Sequence, residues 1–194
     1  MPNPLNPLIV QSDRSVLLEV DNEKYEETRD ALARFAELVK SPEYVHTYKI
    51  SPLSLWNAAA IGISAREVID TLERYAKYPI PSNISRDIIE YMSRYGQITL
   101  FAEGEDMLLQ CEDVDVAEEI WQQKKVREFI VERVDERTFL IDPRERGFIK
   151  HALLEVGHPV EDLAGYVVGE ALPFELRDVS LSNKPFRLRD YQLD

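Results

Sequence analysis

Residues 51–111 decide the fold, and they read SPLSLWNAAAIGISAREVIDTLERYAKYPIPSNISRDIIEYMSRYGQITLFAEGEDMLLQC. The serine–proline pair at 51–52 predicts the start of a helix, because proline suits the first helical position, and Gly62 marks its end. Ser64 and Glu67 have the spacing of a capping box, in which side chain and backbone satisfy each other at a helix start. Two short helices therefore follow one another here.

The rest of this stretch predicts a third helix and a hairpin. Ser82 or Asn83 is expected to cap the helix, whose apolar residues recur at helical spacing. Residues 97–101 and 107–111 then indicate two strands around an acidic turn. Three helices followed by a hairpin are typical of a winged helix, which we place at about residues 50–112.

The first fifty residues predict a mixed α and β segment. Residues 8–10 and 16–20 are apolar runs that flank a polar turn and indicate a hairpin. Asn22 is expected to cap a helix whose apolar positions continue to Val39. Residues 44–50 alternate enough to form a strand.

An acidic run marks the passage to the second half. Residues 103–119 contain eight acidic side chains and no basic one, which predicts an exposed linker with a short helix. Strands are expected at 126–131 and 138–141, and again within 166–176. Between them, Asp142 is expected to open a helix through a capping box. That helix is expected to bury Phe148, Ile149, Ala152, Leu153 and Val156.

These patterns together predict the α+β class. We assign residues 1–112 to a winged-helix-containing N-terminal domain and residues 113–180 to a small β-β-α-β domain. Residues 181–194 are assigned to the start of a further domain. The chain has no internal repeat and no low-complexity tract.

Charge and composition exclude several functions. The net charge is −13 and is spread evenly over both halves, so the chain is expected to repel a phosphate backbone. Cys111 is the only cysteine, which excludes disulfides and a thiolate zinc site. The sequence has neither an apolar run of membrane-spanning length nor a signal peptide. We therefore expect no membrane partner and a cytoplasmic location.

One group of basic residues is a candidate for DNA contact. We call it the basic rim, and it comprises Arg133, Arg137, Arg144, Arg146 and Lys150. Acidic residues are interleaved with it, so the alternative is a solvated surface of mixed charge. On the third predicted helix, Arg86 and Arg94 are balanced by two acidic residues. That balance favours a protein-binding or structural role for the helix over DNA reading.

Other candidate sites have simpler interpretations. The tryptophans and the tyrosines at 75, 78, 91 and 95 are possible stacking surfaces for bases, but core packing is favoured for most of them. The three histidines are far apart and have no metal-binding spacing, so no metal site is predicted. No nucleophile motif is present, and no catalytic residue is predicted.

The last residues resemble a nucleotide-binding motif. Leu188-Arg189-Asp190-Tyr191-Gln192 is similar to the Q motif at the entrance of superfamily 2 helicase motors. A glutamine amide offers adjacent donor and acceptor groups, which suit the adenine edge. The sequence contains no G-x-x-x-x-G-K-[ST] loop that would hold phosphates.

Most of the chain resembles the N-terminal region of the XPB family of DNA helicases, in its bacterial and archaeal form. The segments that resemble its N-terminal domain are residues 8–20, 52–60, 75–81 and 91–96. Residues 127–178, including Gly-His-Pro-Val-Glu-Asp-Leu-Ala-Gly-Tyr at 157–166, resemble its damage-recognition domain. Related proteins often have proline where Asp190 stands, which is a departure at one position.

The resemblance implies the non-catalytic N-terminal portion of an ATP-dependent 3′-5′ DNA helicase used in transcription or nucleotide excision repair. It implies adenine contact by Gln192 and Arg189. It also implies ATP and Mg²⁺ for the whole helicase, with no cofactor held by this segment, which we expect to be inactive alone. The partners that the resemblance implies are DNA, bound weakly, the helicase motor domains and a repair or transcription protein. It further implies that the cytoplasmic protein is nucleoid-associated. The alternative is a stand-alone winged-helix adaptor that binds only protein. A sequence-reading transcription factor is disfavoured by the acidity.

Overall fold

The computed structural model of the chain describes residues 2–165, 177, 179–180, 182–185 and 187. The strands expected within 166–176 lie outside these residues, as do Arg189 and Gln192. Over the described part the protein combines helices with two separate β-sheets, which confirms the α+β class.

The first sheet is antiparallel, with the strand order β1-β2-β4-β3. Its elements are β1 (Leu8–Val10), β2 (Ser15–Glu19), α1 (Tyr25–Leu32), β3 (Glu37–Lys40) and β4 (Val45–Lys49). The predicted hairpin and the strand after residue 44 are confirmed. The helix predicted to continue to Val39 is wrong, because Val39 lies in β3, an exposed strand at the edge of the sheet. Pairing with β4 overrides the helical spacing of these apolar residues.

Three helices follow, and they cover the first sheet. They are α2 (Pro52–Ala60), α3 (Ala65–Tyr75) and α4 (Ser82–Ser93). Both halves of the capping box between Ser64 and Glu67 form as predicted. The expected cap of α4 is wrong, because its cap residue is Pro81 and the Asn83 amide instead donates to the Ser12 carbonyl, at 2.8 Å.

The second sheet has five strands in the order β7-β8-β6-β5-β9. The strands are β5 (Ile98–Glu103), β6 (Asp106–Cys111), β7 (Ile130–Arg133), β8 (Thr138–Ile141) and β9 (Glu161–Asp162). The helices that accompany it are α5 (Val114–Gln122), α6 (Lys124–Arg127) and α7 (Arg146–Glu155), the last preceded by a 3-10 turn at Pro143–Glu145. Strand β9 runs parallel to β5, and all other pairs are antiparallel.

The hairpin of β5 and β6 lies at the centre of this second sheet. Its buried residues Leu100 and Leu109 belong to the same apolar cluster as Phe139 of β8 and Leu153 of α7. The apolar cluster of the first half ends with Met92 of α4. The hairpin expected to act as the wing of a winged helix thus packs with the second half, and the winged-helix arrangement is not confirmed.

Two further expectations for the second half are wrong. The acidic run is not an exposed linker, because it contains β6 and α5, and α5 buries Val116, Ala117 and Ile120. The acidic side chains lie on the outer faces of these elements. The amino-acid composition of the run therefore did not reveal that each element also has an apolar, buried face. Phe148 was expected in the core but is 63% exposed. The buried stripe of α7 is Ile149, Ala152 and Leu153, and Phe148 falls outside it.

The turn before α7 also differs from the prediction. The Asp142 carboxylate accepts a hydrogen bond from the backbone N–H of Arg144, at 2.9 Å, and so caps the 3-10 turn rather than closing a capping box. The strand predicted from residue 126 begins at Ile130, since α6 occupies the residues before it. Among the described residues no helix has both the length and the apolar character needed to cross a membrane.

The central position of the hairpin can be tested with two neighbouring leucines of β6. Leu109 is fully buried, whereas Leu108 points to the other face and is partly exposed. Leu109→Ala is expected to lower the free energy of unfolding by about 2–5 kcal/mol, because it leaves a cavity in the second core. Urea denaturation measures the change. Leu108→Ala is the matched control, and a loss as large as that of Leu109→Ala would contradict the assigned faces.

Candidate nucleic-acid interface

The β7–β8 turn positions the first two residues of the basic rim. The Asp135 carboxylate accepts from the backbone N–H of Arg137, at 2.7 Å, and this hydrogen bond lowers the pKa of Asp135. Arg133 closes the turn, because its Nε and Nη2 donate to the carbonyls of residues 135 and 136, at 3.1 and 2.8 Å. Its Nη1 is 2.7 Å from the Glu118 carboxylate on α5. The guanidinium of Arg133 therefore stabilises the turn.

Arg137 is exposed beside the same turn. Its Nη1 donates to the backbone carbonyl oxygen of Glu112, at 3.0 Å. Because a carbonyl oxygen is uncharged, this hydrogen bond does not neutralise the positive charge of Arg137. Residues from both strands of the central hairpin line a shallow groove with it, including Thr99 and Gln110.

Arg146 and Lys150 meet on one carboxylate. Arg146 makes a two-point contact with Asp162, with Nε at 2.9 Å from Oδ2 and Nη2 at 2.7 Å from Oδ1. Lys150 Nζ is 2.6 Å from Oδ2. Arg146 also donates to the Gly165 carbonyl, at 2.6 Å. The contacts join α7 to β9, and we call these three side chains the Asp162 clamp.

Electrostatics favour the charged form of the clamp. Burial acts to raise the pKa of Asp162, but the hydrogen bonds from Arg146 and Lys150 outweigh it, so the pKa is lowered. Two-point arginine–carboxylate contacts are among the stronger charge-assisted hydrogen bonds. Two of the five predicted DNA contacts are thereby engaged in holding β9 in place.

Arg144 is a highly accessible member of the basic rim. Its side chain is 90% exposed, and its Nε is 3.5 Å from Asp142 Oδ1. Strand β8 separates it from the turn that carries Arg137. The five residue steps from 137 to 142 at about 3.3 Å each cover roughly 16 Å. The predicted basic rim therefore divides into two groups, at opposite ends of β8.

The two arginines of the third predicted helix differ: Arg86, within α4, is exposed, whereas Arg94, at its C-terminal cap, is turned towards the protein. Arg94 pairs with Glu90, at 3.3 Å, and its Nη1 donates to the Gly157 carbonyl of the second half, at 3.2 Å. Gly157 has a φ of +87°, and a Cβ there would lie 3.0 Å from Arg94 Nη1. This use of Arg94 favours a structural role for the end of α4.

Most candidate stacking residues are packed as expected. Trp56 is buried, and its Nε1 donates to the Tyr91 carbonyl, at 2.8 Å. Trp121 stacks on Phe139, with ring centroids 5.8 Å apart. Tyr78 is exposed, as expected for the residue before a proline turn. Phe148 was predicted in the core, but it is exposed and its ring stacks on Phe129. A phenylalanine beside a buried stripe has no sequence signal that sets it apart from the core.

No metal centre or reactive thiol emerges from the described residues. They contain no group of three or more metal-binding side chains. His158 is buried with Nε2 at 3.2 Å from Glu119 Oε1, but the alignment does not satisfy hydrogen-bond geometry. Cys111 is buried, and burial raises the pKa of its thiol to about 12, so the thiolate is scarce at neutral pH.

Comparison with known proteins gives a consistent set of relatives. The family described as "Helicase conserved C-terminal domain" matches residues 8–135. The chain is 46% identical over 187 residues to the DNA 3'-5' helicase XPB of Mycobacterium tuberculosis, covering 96% of this chain and 33% of that protein. It is 42% identical to the protein of the same name from Kineococcus radiotolerans, over 93% of this chain and 33% of the relative.

Similarity extends to eukaryotic proteins. The general transcription and DNA repair factor IIH helicase/translocase subunit XPB of Dictyostelium discoideum is 24% identical, over 93% of this chain and 22% of its own length. The chain spans about a third of the length of the curated bacterial relatives that it matches.

The Asp162 clamp predicts a pH-dependent stability. Asp162→Asn keeps the shape but removes the charge, and it is expected to lower the free energy of unfolding at neutral pH by about 1–3 kcal/mol. The pKa of Asp162 is depressed in the folded state, so this stabilisation is present above its ordinary value of 3.8. It is lost as the pH falls through the folded value.

Urea unfolding of both proteins across a pH series measures the effect. The difference between wild type and Asp162→Asn is expected to shrink towards zero in acid. Glu161→Gln removes the same charge from the same strand and serves as the control. A difference that stays constant down to acid pH, or one equal to that of the control, would contradict the assigned role of the clamp.

Proposed function

The chain belongs to the XPB family of DNA helicases, and on that premise we propose that it is the N-terminal, non-catalytic portion of an ATP-dependent 3′-5′ DNA helicase. One observation carries the proposal. The chain aligns over nearly its whole length with only a third of two XPB helicases, and its own sequence has no phosphate-binding loop.

The role we propose for this portion is engagement of forked or distorted DNA. Arg137 and Arg144 support it, because both are exposed and neither is held in a close two-point ion pair. Only a few phosphate contacts are available to an acidic chain, so we expect binding to be weak and strongly salt-dependent. The helicase motor, in our proposal, supplies most of the affinity for DNA.

We also propose that Gln192 and Arg189 contact the adenine of ATP in the whole helicase. The support is chemical, because the glutamine amide matches the donor and acceptor pattern of the adenine edge. The Mg²⁺ and phosphate contacts would come from the motor. Protein docking, on a repair or transcription partner, is proposed for the first half, where the charges of α4 balance. No observation favours the stand-alone adaptor over the helicase portion.

The proposal that this portion is non-catalytic is tested by enzymology. The purified chain, incubated with ATP, Mg²⁺ and forked DNA, is expected to release no phosphate and to unwind nothing, since it carries no phosphate loop. The full-length Mycobacterium tuberculosis relative provides the active reference. ATP hydrolysis by the chain alone, above that of a heat-denatured sample, would sink the proposal.

The proposed DNA contacts are tested by a double substitution. Arg137→Ala with Arg144→Ala is expected to weaken fork binding and to reduce the slope of log affinity against log salt by about 1.8, the value for two lost phosphate contacts on duplex. Fluorescence anisotropy at several salt concentrations measures both. Arg34→Ala with Arg66→Ala removes the same charge from exposed positions of the first half. If the two double variants lose the same affinity for the fork, the change in net charge alone explains the loss, and the proposed contacts are wrong.

A further inference from the structure

Phe148 is an exposed aromatic residue in a preformed stack. Phe148 is 63% exposed and lies at the edge of the buried stripe of α7, one turn before Ala152. Its ring lies nearly parallel to the ring of Phe129, with centroids 6.2 Å apart and an angle of 12° between the planes. Leaving a large apolar side chain in water forgoes the stabilisation that burial brings. The ring of Phe129 packs against Phe148 without covering it.

The stack forms one wall of a concave surface of about 400 Å³. The residues that line it are Lys125, Glu128, Phe129, Phe148, His151, Ala152 and Glu155. Lys125 Nζ is 2.8 Å from Glu155, and this contact lowers the pKa of that carboxyl. His151 Nδ1 is 3.6 Å from the same carboxylate. The negative charge of Glu155 is therefore offset within the concavity.

An exposed cation precedes the ring in the chain. Arg144, whose side chain is 90% exposed, lies in the 3-10 turn that leads into α7, four residues before Phe148. A flat apolar ring and an exposed guanidinium about one helical turn away match the two parts of an unpaired nucleotide. The ring offers a face for the base, and the guanidinium offers hydrogen bonds to the adjoining phosphate.

We propose that Phe148 is a stacking site for an unpaired nucleobase of forked or distorted DNA, with Arg144 contacting a neighbouring phosphate. The inference rests on the DNA engagement proposed above and adds the site and the ligand. Stacking on a single aromatic side chain does not discriminate among bases, because every base has a π-face. The site is therefore expected to sense that a base is unpaired, whatever its sequence.

The test uses a fork that carries 2-aminopurine at an unpaired position next to the junction. Stacking on Phe148 is expected to change the probe's fluorescence when the chain is added. Phe148→Leu keeps an apolar side chain but removes the ring, so it should abolish the change and weaken binding by about 5- to 150-fold. Phe148→Tyr keeps the ring and should preserve both signals. Because Phe148 is exposed, the variants are expected to fold, which circular dichroism verifies.

Two controls separate the possible outcomes. Ile61→Ala shortens an equally exposed apolar side chain on the first half and should leave the probe signal unchanged. If the fork binds in anisotropy but Phe148→Leu behaves as wild type, stacking at Phe148 is wrong while the proposed DNA engagement stands. If no fork binds even at low salt, both proposals are wrong.

Discussion

The second half of the protein depends on the burial of one face of the β5–β6 hairpin. Its strands alternate, so that Ile98, Leu100, Met107 and Leu109 enter the core while their neighbours face outward. Each strand of the hairpin then has a second partner, since β6 pairs with β8 and β5 with the parallel strand β9. If the pairing of the two strands shifted by one residue, all of these apolar side chains would face solvent. Their burial therefore fixes the register of the hairpin. Both ends of β8, and with them the two groups of the basic rim, are placed by this pairing.

Charge determines what such a surface offers to DNA. Most cations of the basic rim have carboxylate partners at short distance: Arg133 contacts Glu118, and Arg146 and Lys150 share Asp162. These pairs organise a turn and a strand, and they reduce the positive charge available to phosphate. With a net charge of −13, the chain lacks the electrostatic attraction that drives non-specific binding. The DNA engagement proposed for this portion would then depend on a few exposed groups and on shape.

Local signals in the sequence predicted many of the elements correctly. The capping box at Ser64, the turn glycines and the alternation along β5 and β6 are short-range features, and each produced its element at the expected place. Failures arose where distant pairing competes with local preference. Val39 has helical spacing from α1 but completes a strand pair with β4, and the acidic run conceals an amphipathic helix whose apolar side packs beneath the sheet. Residues of the basic rim were identified by type, but their mutual distances follow from strand pairing.

Motifs, charge and capping act over a few residues, and they were enough to predict the family, the acidic character, the lack of a phosphate loop and many of the element boundaries. Three features became evident in the folded protein alone: the hairpin joins the second sheet, Asp162 engages two cations, and Phe148 faces solvent. Burial and ion pairing depend on which segments meet, and Arg146 and Asp162 meet because α7 and β9 pack around the same core. The periodicity of a sequence shows that a helix has an apolar side. How much of that side is buried depends on the elements that pack against the helix.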